Sequence, residues 1–249
     1  IYTHVLGYVS QPNENDILQN EIIQQRFVPG MKIGKIGLEK TLENHLIGTN
    51  DIQRYEVNAY GKRINQLEYQ KGEQGSKIRL TIDTEVQKLS AKLLTNKAGS
   101  ISVMDIYTGE IVAMCSSPSY DPNLFLFGIS KDEWELIRNN PLKPLINKSI
   151  SGLYSPGSTI KPIVALSALE NNIIKPNFKV RCTGKTELYG QTFHCWKEKG
   201  HGVVSLKNAM KQSCDTYFYE ITRLLGVDRL KITAKKFGLG EKVLGKYFK

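Results

Sequence analysis

The 249-residue chain predicts an α+β fold. Three observations carry that reading: a strand-then-helix pattern over residues 78–94, a hairpin signal at Tyr107-Thr108-Gly109, and a succession of helical patterns from Ser158 onward. Residues 1 to about 75 are polar and irregular. Within them Asn13-Glu14-Asn15-Asp16 marks a loop, 33–46 carries a helical pattern that Gly48 stops, and 57–64 reads as a strand and turn. Gly72 to Gly75 makes a linker-like break, which sets an expected boundary between 1–75 and 76–249. Residues 78–82 read as a strand. Residues 84–94 form an amphipathic helix capped by Asp83 or Thr84. Residues 100–105 and 110–116 pair as a hairpin, with Cys115 as a core thiol. After a loop rich in proline and aromatics, 131–139 form a short helix anchored by Trp134. Residues 175–196 look irregular, as a metal-tied or mobile loop would. Helices are expected over 206–212, 216–225 and 228–237, with Gly226 as a stop. The sheet is expected to be completed by residues further along.

Composition narrows the class. An apolar fraction of 40% supports a sizeable core, and the length fits one or two domains. The net charge is +10, yet the lysines are dispersed and no nucleic-acid motif is present. The charge therefore reads as a solvated face suited to an anionic cell wall or lipid, and nucleic acid is not an expected partner. No run of eighteen apolar residues occurs.

The chemistry concentrates after residue 155. Ser158 is the only serine followed three residues later by a lysine, in Ser155-Pro156-Gly157-Ser158-Thr159-Ile160-Lys161-Pro162. A serine hydroxyl needs a base beside it to act as a nucleophile. Positions i and i+3 share a helical face, so a helix starting near Ser158 holds the Lys161 amine against the hydroxyl. The apolar run Ile163, Val164, Leu166, Ala168 and Leu169 predicts that this helix is buried. Partial burial disfavours a charged amine and favours its use as a base. The helix start also aims free N–H groups at a developing oxyanion. Fifty-five residues on, Ser213-Cys214-Asp215 precedes another helix. Ser213 and Asp215 are candidates for the same site, or caps of the helix from Thr216, or both.

Cys182, Cys195, His201 and Cys214 are spaced Cys-x12-Cys-x5-His-x12-Cys, and all are zinc-type ligands. A Cys182–Cys195 disulfide and plain buried thiols are the alternatives, and His194 is a substitute ligand. Phe125, Phe127, Tyr154, Trp196 and Tyr217 suit either a groove lining or a core.

Further segments carry a resemblance: His4-Val5-Leu6-Gly7-Tyr8-Val9, Ile33-Gly34-Lys35-Ile36-Gly37-Leu38-Glu39, Glu56-Val57-Asn58-Ala59, Leu80-Thr81-Ile82-Asp83, Val103-Met104-Asp105, Thr108-Gly109-Glu110-Ile111-Val112-Ala113-Met114 and Pro118-Ser119-Tyr120-Asp121-Pro122-Asn123. With the serine motif, their order and spacing resemble the class B penicillin-binding proteins, most closely the elongation-type penicillin-binding protein 2 group. The Ser-x-Asp form is that of the elongation enzymes; the septal ones more often carry Ser-x-Asn.

The resemblance implies a fold and a function. Residues 1–75 would be part of a non-catalytic pedestal that binds partner proteins. Residues 76–249 would be the N-terminal part of a transpeptidase domain, an antiparallel five-stranded sheet flanked by helices. The reaction would be DD-transpeptidation. Ser158 attacks the penultimate D-Ala carbonyl of a peptidoglycan stem peptide, Lys161 takes the hydroxyl proton, and Ser213 relays a proton toward the leaving group. Asp215 fixes that network. β-Lactams would acylate the same serine. Zinc is implied by relatives that hold it near the active site through Asp, His and Cys; His201 and Cys214 match best, with Cys182 and Cys195 in place of carboxylates. A membrane glycosyltransferase and shape-determining proteins are the implied partners. The implied location is the inner membrane, through a single-pass anchor, with the catalytic domain in the periplasm. The Lys-Thr-Gly element of the family is absent, since Lys185-Thr186 is followed by Glu187. That strand supplies half of the oxyanion hole, worth about 3 kcal/mol per donor, so the segment alone is expected to be poorly active. A septal transpeptidase, a serine β-lactamase and a non-catalytic sensor or scaffold are the competing readings.

Overall fold

The computed structural model describes residues 1–241. It is α+β and divides into two compact units, 1–153 and 154–241 among the described residues. At the linker-like break Gly72–Gly75 the backbone is tied down, since Thr49 N–H bonds the Glu73 carbonyl and Ser76 N–H bonds that of His45.

In the first unit, the helical pattern at 33–46 is broken. Ile33–Gly34 pairs with Val9–Ser10, and short helices follow at Gly37–Thr41 and Glu43–Leu46. The interruption comes from Gly37, whose φ of +65° is left-handed, and from the buried Glu43 carboxylate, which accepts the Gly34 N–H at 2.6 Å. The strand and turn at 57–64 belong to a longer ribbon, Ile52–Val57 against Arg63–Gln70. Residues 78–82 are not a strand. Thr81 Oγ1 bonds the Ile111 carbonyl and Asp83 N–H bonds that of Val112, but no ladder continues. The helix Thr84–Leu93 is capped by Asp83, which accepts the N–H groups of Glu85 and Val86. The hairpin Gly99–Met104 with Ile111–Ser117 turns where expected and buries Cys115. Helix Lys131–Arg138 starts in a capping box made by Ser130 and Glu133, and Trp134 is half-buried with its edge against Phe125.

The second unit is built around helices Lys161–Glu170 and Asp215–Leu225. Val164, Ala165 and Ala168 of the first pack with Tyr217, Phe218 and Ile221 of the second. Helix Val227–Lys236 joins them through a buried hydroxyl chain, in which Thr233 Oγ1 donates to Ser167 Oγ and Ser167 Oγ donates to the Arg229 carbonyl. The stretch 175–196 is more ordered than its sequence indicates. Lys179–Cys182 pairs antiparallel with Gly202–Ser205, and Lys185–Leu188 forms a hairpin with Gln191–His194 across Tyr189-Gly190. Both turn residues have positive φ, as a two-residue primed turn requires.

Candidate active site

Ser158 lies in a 3-10 turn, Gly157–Ile160, that runs into the α-helix at Lys161. Gly157 enters it at φ +55°. Pro162 is tolerated in the first helical turn, where its missing N–H costs nothing. In a 3-10 turn positions i and i+3 eclipse, so Ser158 and Lys161 stand on one edge. Ser158 is exposed, whereas Lys161 is only 8% exposed.

The second element arrives from the other side. Helix Leu206–Lys211 ends, Ser213 adopts φ +51°, and helix Asp215–Leu225 begins after Cys214. Neither Ser213 nor Asp215 caps that helix with its side chain. They face Lys161 instead. Lys161 Nζ donates to the Ser213 carbonyl at 2.9 Å, to Ser213 Oγ at 2.9 Å and to Asp215 Oδ1 at 2.6 Å. Three oxygens match the three donors of an ammonium. Ser213 Oγ donates in turn to Ser158 Oγ at 2.9 Å.

This differs from the i, i+3 expectation in one respect. Among the described residues Lys161 and Ser158 share no direct hydrogen bond, and the Ser213 hydroxyl stands between them. The amine is drawn toward Asp215 and the Ser213 carbonyl, which are better acceptors for a cation than a lone hydroxyl. Burial alone raises the Asp215 carboxyl, but the hydrogen bonds from Lys161 and the Trp196 N–H outweigh it and hold it below the usual 3.8. The Phe218 ring centroid lies 5.5 Å from Lys161 Nζ, within cation–π range. Neither Phe218 nor the Trp196 amide is legible as a site group in the sequence, because the amide depends on backbone placement and Phe218 reads as core.

Immediately behind this loop lie Cys182, Cys195, His201 and Cys214, whose ligand atoms all fall within 4.8 Å of one another. The strand register places Cys182 opposite Gly202, so His201 flanks it. Cys195 follows the hairpin, and its N–H bonds the Gly184 carbonyl at 2.8 Å. Gly184 and Gly200 allow these chains to close: a Cβ at either would come within 2.2 Å of a backbone oxygen, and both have positive φ. His201 Nδ1 is 3.6 Å from Cys182 Sγ and 3.5 Å from Cys195 Sγ. A tetrahedral zinc with Zn–S of about 2.3 Å and Zn–N of about 2.0 Å sets sulfur and nitrogen about 3.5 Å apart. The donor set and its spacing therefore fit zinc. All four cysteines are free thiols. Burial acts to raise the Cys182 thiol, but its hydrogen bonds with Thr216 and His201 prevail and bring it down to about 6. Burial pushes Cys214 up to about 12, with the Cys182 and Cys195 sulfurs adding to the effect. His194 lies outside the cluster.

An exposed serine joined to a buried lysine through a second serine, on two packed helices, defines a serine acyl-transfer class of site. The chain belongs to the penicillin-binding protein family: residues 99–246 match the penicillin binding protein transpeptidase domain and residues 1–80 the penicillin-binding protein dimerisation domain. It is 38% identical over 242 residues to the peptidoglycan D,D-transpeptidase MrdA of Escherichia coli K12, covering 96% of this chain and 38% of that protein. A crystal structure of Pseudomonas aeruginosa PBP2 in complex with WCK 5153 superposes with a TM-score of 0.83 at 35% identity, covering 97% of this chain and 50% of that one. The complex between PBP2 and MreC from Helicobacter pylori gives 0.85 at 34% identity, covering 96% and 44%. The chain thus spans less than half the length of the curated relative. No helix among the described residues is long and apolar enough to cross a membrane.

Proposed function

We propose that this chain carries the nucleophile, base and proton relay of an elongation-type peptidoglycan DD-transpeptidase. The observation that carries the reading is the position of Ser213 Oγ, 2.9 Å from both Ser158 Oγ and Lys161 Nζ. Ser158 Oγ attacks the penultimate D-Ala carbonyl of a stem peptide. For this step Lys161 is the free amine: the Ser158 proton passes to Ser213 Oγ as the Ser213 hydroxyl proton passes to Lys161 Nζ, and Asp215 balances the resulting ammonium. Ser213 then hands a proton to the departing D-Ala nitrogen, by the same bonds in reverse. An amine from a neighbouring stem attacks the acyl-enzyme and restores Ser158. The Ser158 N–H, at the start of its 3-10 turn, is one donor for the oxyanion. β-Lactams mimic the acyl donor and stop at the first step.

Zinc is the proposed cofactor, held by Cys182, Cys195, His201 and Cys214. It would supply structural cross-linking. It would pin Cys214, inside the Ser213–Asp215 segment, and Cys195, next to the Trp196 N–H that donates to Asp215. Residues 1–80 are proposed to dock shape-determining proteins, a reading supported by the Helicobacter pylori PBP2–MreC complex. A membrane glycosyltransferase is the second proposed partner, and the periplasmic face of the inner membrane the proposed location.

Placing Ser158→Ala in the complete protein tests the reading. It is expected to abolish penicillin labelling and to fail to sustain elongating growth. The wild-type protein should turn nitrocefin over only slowly, since its acyl-enzyme awaits an amine. Growth supported by Ser158→Ala would make the protein a scaffold, and rapid nitrocefin turnover would make it a β-lactamase.

A further inference from the structure

Ser213 holds a backbone conformation that serine rarely adopts. Its φ of +51° lies in the left-handed region, and such residues persist only where their surroundings over-determine them. Four hydrogen bonds hold its backbone and the adjoining peptides. Ser213 N–H reaches the Met210 carbonyl at 3.2 Å and Cys214 N–H reaches that of Ala209 at 2.9 Å. Lys161 Nζ holds the Ser213 carbonyl. The fourth comes from outside the loop: Trp196 Nε1 donates to the Gln212 carbonyl at 3.0 Å.

That last bond has particular leverage. The Gln212 carbonyl and the Ser213 N–H belong to one planar peptide unit. Rotating the unit changes ψ of Gln212 and φ of Ser213 together, so an anchored Gln212 oxygen fixes the Ser213 φ. Trp196 also grips the far side of the loop, where its backbone N–H donates to Asp215 Oδ2 at 3.0 Å. The residue thus fastens the loop on both sides of Ser213. Core packing does not account for its presence, since Trp196 is 65% exposed. Its neighbour Cys195 is only 4% exposed and fixes the backbone from which the indole projects.

We propose that Trp196 is a positioning residue for acylation: its indole N–H holds the Gln212–Ser213 peptide in the orientation that aims Ser213 Oγ at Ser158. The inference rests on the reading of Ser158 as the acylated nucleophile and Ser213 as its relay. Without the indole bond the peptide relaxes toward ordinary φ, and the hydroxyl leaves the line between Ser158 and Lys161.

The test uses Trp196→Phe in the complete protein, which keeps a ring and removes the N–H. Acylation by a penicillin is followed by stopped flow and intact mass to separate the acylation rate constant from the preceding binding constant. The rate constant is expected to fall about tenfold, the scale of one lost hydrogen bond. Binding should hold within about twofold, and the protein should stay folded, with its melting temperature lowered by no more than about 8 °C. In a Ser213→Ala background, followed over hours, Trp196→Phe should have no further effect. An unchanged rate constant, weakened binding alone, or a full additional loss in the Ser213→Ala background would overturn the proposal. Failure of the underlying reading is separate, because the wild-type protein would then not be acylated at Ser158 at all.

Discussion

Replacing Lys161 with methionine in the complete protein is expected to slow acylation by penicillin about a thousandfold. A positioned general base contributes about 10²- to 10⁴-fold, and among the described groups Lys161 is the amine that the Ser213 hydroxyl connects to Ser158. Methionine fills much of the lysine stem, so the helix Lys161–Glu170 keeps its packing. The stability cost is expected from Asp215, which loses the cation at 2.6 Å and keeps the Trp196 N–H. Removing one partner of a fully buried pair costs about 3–5 kcal/mol. Asp215 retains some solvent access, and about 2 kcal/mol is expected here. The double variant Lys161→Met with Asp215→Asn discharges the orphaned carboxylate. It should recover most of that stability and none of the acylation rate. Chemical denaturation of the three proteins and their acylation rates check both halves. A Lys161→Met protein acylated within about tenfold of wild type would remove the lysine from the base role.

Stripping the proposed zinc is expected to have the largest effect on stability. The four ligands come from the strand Lys179–Cys182, the end of the hairpin Gln191–His194, the residue before Gly202–Ser205 and the start of helix Asp215–Leu225. One ion would cross-link four segments whose strands are only four residues long. Structural zinc supplies folding free energy directly. Loss of even about 2–3 kcal/mol lowers the melting temperature of a unit this size by about 10 °C or more. Metal analysis should find one zinc per chain, and none after dialysis against a strong chelator or in His201→Ala. The stripped protein should melt about 10 °C lower and acylate more slowly, because Cys214 and Cys195 flank the residues that place Ser213 and Asp215. Protein purified without chelator that contains no zinc, or whose melting is unchanged on stripping, would dismiss the metal.

The sequence carried the site further than it carried the local fold. That Ser158 and Lys161 share one edge was legible because three-residue spacing at the mouth of an apolar helix leaves few geometries. Asp83 was a legible start signal for the same reason, since a cap acts over three or four residues. The insertion of the Ser213 hydroxyl between Ser158 and the Lys161 amine was not legible. It depends on a left-handed φ at a serine, where glycine would have flagged the turn. The hairpin inside 175–196 was hidden because Tyr189-Gly190 lacks the Asn-Gly signature and its strands are short and mostly exposed. Residues 78–82 misled in the opposite sense. Their pattern suits a strand, but pairing is decided by a partner, and among the described residues the 111–112 carbonyls reach just Thr81 Oγ1 and the N–H of the neighbouring Asp83.

The central claim is that Ser158 is the acylated nucleophile. Its most direct test is peptide mapping by mass spectrometry after the complete protein has been incubated with a labelled penicillin. A single stoichiometric adduct is expected on Ser158, absent from Ser158→Ala. An adduct on any other residue, or none under conditions in which the folded protein survives, would contradict it.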